Sequence, residues 1–171
     1  MNTNQLLNIL KCMCKKKKVV YNVIPSDYLV NYSETVYPFA LIVNSKDSSH
    51  PGEHWLAIFS QNRVVDFFCS YGMGIEFYGR HFERFAKNKL IRQNCIPLQG
   101  PGSNVCGKYA LYFISKLLKG EKLSNVYCGF SKNRKKNDVI VNKFVSRHKS
   151  KECEGMPICK IQTSINCVSK N

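Results

Sequence analysis

His54-Trp55-Leu56-Ala57-Ile58-Phe59-Ser60-Gln61-Asn62-Arg63-Val64-Val65-Asp66-Phe67-Phe68-Cys69 is the stretch from which the architecture can be read. Two apolar runs flank only Gln61-Asn62, and so short a connection predicts a β-hairpin. If Ser60 pairs with Arg63, counting outward places His54 opposite Cys69 and Ala57 opposite Asp66. Both runs are apolar on both faces, which places them at the centre of a sheet covered by helices on each side.

Working outward, the firmest neighbour is a helix. Cys106, Tyr109, Ala110, Phe113, Ile114 and Leu117 recur at the three- and four-residue spacing of one helical face, behind the loop Gln99-Gly100-Pro101-Gly102-Ser103-Asn104. Ser103 or Asn104 is the expected cap. A short amphipathic helix is expected over Asn4–Met13 with its cap within Asn2–Asn4, and strands over Val19–Ile24 and Phe39–Asn44. Ser45–Glu53 reads as a loop, and Phe77, His81, Phe82 and Phe85 place a helix over Glu76–Asn88. Leu90–Leu98 can hold a further strand, and Asp138–His148 a further helix. The expected fold class is therefore α+β, a central mixed sheet packed by helices.

The 171 residues, 44% hydrophobic and 12% aromatic, suit a single domain with a real core. We assign residues 1–148 to it, with the core at 20–118, and 149–171 to a basic tail. No run is long and apolar enough to span a bilayer, and Leu6-Leu7-Asn8-Ile9-Leu10 is too short for a signal segment, so a soluble, intracellular protein is expected.

Nine cysteines, an odd number, are expected as reduced thiols, and no spacing makes a zinc site, so no metal is expected. The net charge of +15 is uneven: +5 over residues 1–20, +1 over 21–114 and +9 over 115–171. Basic ends on a near-neutral core would attract nucleic acid or other polyanions, or would simply keep the chain soluble. Lys15–Lys18 and Arg134-Lys135-Lys136 also have the composition of nuclear-import signals.

Cys106 stands out because a thiol in the first turn of a helix feels the positive end of the helix dipole, which favours the nucleophilic thiolate. From spacing alone it serves a core as readily. His54 opens a strand next to the only Trp, where an imidazole can project as a general base or act structurally. Gln99, seven residues before Cys106, can aim its amide at an oxyanion formed there, together with the backbone N–H of Cys106 or Gly107, or can remain merely solvated.

The block Gln99-Gly100-Pro101-Gly102-Ser103-Asn104-Val105-Cys106-Gly107, with Gly52-Glu53-His54-Trp55 and Phe68-Cys69-Ser70-Tyr71-Gly72, resembles the adenovirus-type cysteine endopeptidases (adenain) and their relatives in Maverick/Polinton transposons. More distantly it is similar to the SUMO and ubiquitin-like proteases. The resemblance covers residues 20–118 and implies a nucleophile at Cys106, a general base at His54 and an oxyanion-hole donor at Gln99. It also implies protein substrates such as capsid precursors, residence in a nucleus or virion, and activation by DNA and by a disulfide-linked peptide, for which Cys95 is the candidate.

One departure bears on activity. The family's third catalytic residue is an acid three positions before the Gly of an aromatic-Gly turn, and that position here is Cys69. The hairpin count reaches Cys69 independently. Asp66 is the alternative acid, but it lies about 10 Å along the strand and on the opposite face, so only a bulge would bring it to His54. The expected activity is that of a weakened Cys106–His54 dyad. The competing functions are an isopeptidase for ubiquitin-like modifiers and a nucleic-acid-binding relic of the fold.

Overall fold

In the computed structural model, which describes residues 1–32, 38–61 and 64–149, five strands lie side by side in chain order. They are β1 (Val20–Ile24), β2 (Phe39–Asn44), β3 (Trp55–Gln61), β4 (Val64–Phe68) and β5 (Leu90–Gln93). The β2-β3-β4 meander is antiparallel, whereas β1 with β2 and β4 with β5 are parallel, so the sheet is mixed. The expected tail, together with Cys153, Cys159 and Cys167, lies outside the described residues.

Strand pleating sorts the apolar runs into two layers. Ala40, Ile42, Ala57, Phe59 and Phe68 face one core, shared with α1 (Thr3–Cys14), α3 (Cys106–Leu117), α4 (Leu123–Cys128) and α5 (Arg134–Lys149). Phe39, Leu41, Val43, Leu56, Ile58, Val65, Phe67 and Cys69 face the other, covered by α2 (Arg80–Ala86) and by 3-10 segments at Ser26–Tyr32 and Ile75–Tyr78. This is the doubly covered sheet that the hairpin's composition demands. Phe68 stacks on Phe113 of α3 with centroids 4.5 Å apart, fixing the helix across the centre of the sheet.

The hairpin register differs from expectation. Gln61 pairs with Val64 and Ala57 with Phe68, so Asp66 faces Phe59 instead of Ala57. Every partner therefore moves by two residues. A shift of two preserves which face each side chain occupies, so His54 and Cys69 still share a face although they are not directly opposite.

Other differences have local causes. The expected helix over 76–88 is broken at Gly79, whose φ of +77° suits glycine, leaving Phe77 64% exposed and only Phe82 and Phe85 of the stripe buried. Neither Ser103 nor Asn104 caps α3: its N-cap is Val105, with no side-chain bond, and the Ser103 hydroxyl donates to the Gly100 carbonyl. By contrast Asn2 caps α1 in a reciprocal box with Gln5. The unexpected α4 follows Gly120, and α5 begins four residues ahead of Asp138.

Helix α5 also anchors the loop ahead of α3. Asp138 accepts from the Gly100 N–H (3.2 Å) and the Tyr109 hydroxyl (2.9 Å), and fully buried Asn137 donates to the Leu98 carbonyl (3.1 Å). Replacing Asp138 by Ala leaves buried donors without that acceptor and is expected to lower unfolding stability by about 1–3 kcal/mol. The measurement is a urea midpoint at unchanged slope, with Asp138→Asn losing less; equal midpoints for Ala and wild type would mean the anchor is idle.

Candidate active site

The 45–53 loop delivers His54 to the head of β3. Asn44 closes its base, accepting from the Lys46 and Glu53 N–H groups at 2.9 and 3.3 Å, and the Ser45 N–H donates to the His54 carbonyl at 2.9 Å. Gly52 packs so closely that a Cβ there would lie 2.6 Å from Asn44 Nδ2. His54 is 8% exposed; its ring stacks on Tyr71 at 4.9 Å and lies 6.2 Å from that of Tyr78.

His54 Nε2 faces Cys69 Sγ at 3.6 Å. The sulfur is fully buried, accepts from the Tyr71 backbone N–H (3.3 Å) and lies 2.9 Å from the Tyr78 hydroxyl, a contact in which either group can donate. Burial, then contact with Cys69, pushes the Tyr78 phenol up, so it stays protonated. Asn94 clamps the Cys69 backbone from both sides: its Oδ1 accepts from the Cys69 N–H at 3.0 Å and its Nδ2 donates to the Cys69 carbonyl at 2.8 Å. Nothing in the sequence around Asn94 signals this role.

Cys106 reaches the same cleft from the other layer. Gly107 permits it: a Cβ there would meet Leu6 at 3.0 Å and Trp55 at 3.3 Å. Cys106, His54, Trp55, Tyr71, Tyr78 and Asn104 line a cleft of about 910 Å³. Among the described residues no acceptor takes the backbone N–H of Cys106 or Gly107, so the uncapped end of α3 presents both. Nor is a Cys106–His54 hydrogen bond formed among the described residues; with Nε2 directed to Cys69, Nδ1 is the nitrogen left to serve the thiol.

Gln99, Asp66 and Cys95 stand apart from this lining. Gln99 is 1% exposed and braces the loops, accepting from the Ser70 hydroxyl at 2.7 Å and donating to the Ser103 carbonyl and to Tyr71 Oη, the latter at 3.1 Å. Asp66 is not an acid for His54: it lies on the other face of β4, with both carboxylate oxygens 2.7 Å from Arg92 nitrogens. The bulge that would bring it round is absent from the β3–β4 ladder. Cys95 is an exposed free thiol after β5. The basic runs Lys15–Lys18 and Arg134–Lys136 are exposed and also outside the cleft. Among the described residues no cluster of three or more His, Cys, Asp and Glu could hold a metal, and no helix is long and apolar enough to cross a membrane.

No family model matches the chain, and no curated protein matches it by sequence. Among solved structures it is similar to the ASFV pS273R protease, with a TM-score of 0.51 and 14% identity over 73% of this chain and 60% of that one. The selenomethionine form of that protease gives 0.55 and 15% over 82% and 66%. The chain shares that protease's fold. It spans two thirds or less of the protease's length, and at this identity the likeness is one of architecture, a mixed sheet packed by helices. The narrower adenain-type resemblance rests on the motif residues alone.

Burial lowers the His54 pKa from 6.5 to about 4, outweighing the opposing pull of Glu53. The imidazole is therefore neutral at pH 7, as a base must be. The folded state holds fewer protons on this group than the unfolded state does below 6.5, so stability falls as pH drops from 6.5 towards 4, by about 3 kcal/mol in all. Denaturant midpoints measured from pH 7 to pH 4 should show a smaller loss in His54→Gln than in wild type; parallel curves would mean that His54 charges freely when folded.

Proposed function

We propose that the chain is a cysteine endopeptidase in which Cys106 is the nucleophile and His54 the general base and then acid. The observation that carries this reading is the meeting of Cys106, at the uncapped N-terminus of α3, with His54 in one cleft, with Cys69 behind the imidazole where an acid is expected. The shared fold with a viral protease supports it.

In this reading the neutral imidazole takes the tautomer that donates Nε2–H to Cys69 Sγ, 3.6 Å away, which leaves Nδ1 for the Cys106 thiol. Nδ1 takes the thiol proton, Sγ attacks the peptide carbonyl, and the leaving amine recovers the proton from the imidazolium. Water then hydrolyses the thioester by the same route. Cys69 performs the orienting task of a carboxylate without its charge, so the imidazolium formed during attack is less well stabilised than in a full triad. The substrates are proteins; the finer reading, capsid precursors of a virus or virus-like element, is supported by the resemblance of the Gln99–Gly107 block and by the likeness to a viral protease.

The reduced protein treated with a peptide vinyl sulfone should be labelled selectively at Cys106 in mass spectra, and labelling should fall at least about tenfold in His54→Ala, a general base being worth about 10²–10⁴. Uniform labelling of exposed thiols, indifferent to His54, would refute the dyad. A carboxylate at position 69 would accept from the Tyr71 N–H, could accept from the Tyr78 hydroxyl, and would stabilise the imidazolium. Cys69→Asp is thus expected to raise peptide hydrolysis about tenfold or more, within the roughly 10⁴ that a triad acid can supply; unchanged or lower rates would refute the role given to Cys69.

A further inference from the structure

The hydrogen bonds of Gln99 identify a donor that the sequence motif does not. The Ser103 carbonyl can only accept, so the Gln99 terminal atom bonded to it is the amide nitrogen, which fixes the orientation of the side chain. The same orientation lets Oε1 accept from the Ser70 hydroxyl. The amide nitrogen has two hydrogens: one goes to Ser103, and the other points to Tyr71 Oη at 3.1 Å. Gln99 thus has no hydrogen left for an oxyanion. Tyr71 Oη, however, accepts from Gln99 and keeps its own O–H, for which there is no acceptor among the described residues. Tyr71 lines the cleft with Cys106, and its ring is held by stacking on His54.

We propose that the Tyr71 hydroxyl, positioned and polarised by Gln99, is a catalytic hydrogen-bond donor to the oxyanion formed when Cys106 attacks a peptide carbonyl. This rests on the Cys106–His54 reading above. As the C–S bond forms, the carbonyl π pair moves onto oxygen. That charge is met by the Tyr71 O–H and by the Cys106 and Gly107 N–H groups at the end of α3. When the intermediate collapses, the C=O bond re-forms, the C–N bond breaks, and the amine takes its proton from the His54 imidazolium. Tyr71 transfers no proton in this cycle. Burial and then negative charge at Cys106 both raise its phenol pKa, so the donor persists through neutral pH. Gln99 is a positioning residue that acts through the hydroxyl.

The test compares two reagents on the full-length reduced protein, with rates at Cys106 resolved by peptide mapping and Cys106→Ala as background. Acylation by p-nitrophenyl acetate passes through a tetrahedral oxyanion, whereas alkylation by iodoacetamide displaces iodide without one. Tyr71→Phe keeps the ring on His54 and removes only the hydroxyl. It is expected to slow acylation about 100-fold while alkylation stays within about twofold, the scale for losing one oxyanion donor. Gln99→Met should slow acylation in the same sense, and the double variant should fall no further than Tyr71→Phe. Unchanged acylation in Tyr71→Phe, an equal fall in both reactions, or additive losses in the double variant would overturn the proposal. A wild-type Cys106 that alkylates no faster than in His54→Ala would be a different failure, overturning the dyad and this donor with it.

Discussion

The close contact of α3 with the sheet at Gly107 brings the first turn of the helix to the head of β3. A Cβ at 107 would lie 3.0 Å from a Leu6 methyl carbon of α1 and 3.3 Å from a Trp55 ring carbon of β3, so those side chains would have to give. Further along α3, Phe113 stacks on Phe68 and the Tyr109 hydroxyl reaches Asp138. Cys106 and His54 belong to different layers and meet only where the sheet ends. Their meeting depends on that close contact more than on any bond between them.

Around the imidazole the protein has assembled donors without a carboxylate. The Cys69 sulfur accepts from the Tyr71 N–H and touches the Tyr78 hydroxyl and His54 Nε2, and the nearest strand acid, Asp66, is paired with Arg92 on the opposite face. Burial, outweighing the pull of Glu53, holds the ring neutral. On the proposed reading, the electrostatic help that a triad gives to a developing imidazolium is missing, and stabilisation of the oxyanion would carry a larger share of the rate.

Three buried amide side chains and one carboxylate tie this arrangement to the scaffold. Asn94 grips the Cys69 backbone, Gln99 links Ser70, Tyr71 and Ser103, and Asn137 with Asp138 fixes the Leu98–Gly100 segment to α5. Each satisfies loop N–H or C=O groups that would otherwise be buried unpaired, which is costly in a low-dielectric interior. The loops around the candidate site are thereby tied to strands and helices by buried hydrogen bonds.

Local pattern was enough to read the doubly covered sheet, because residues apolar at both parities have no solvent face, and to read α3, because its stripe recurs at helical spacing. Spacing left Cys106 and His54 open to a structural reading and the motif resemblance drew them together, while the two-residue register difference leaves position 69 on the same face as His54. The break at Gly79 is local, a glycine at positive φ inside the expected stripe, and Ser103 turns back on the Gly100 carbonyl instead of capping α3. The bonds of Tyr71 to Gln99, Asn94 to Cys69 and Asp138 to Gly100 join residues 28, 25 and 38 positions apart, which no short window of sequence contains. Sequence therefore determined which groups the chain possesses and on which face of the sheet they lie; the tertiary structure decided which hydrogen each of them has left to give.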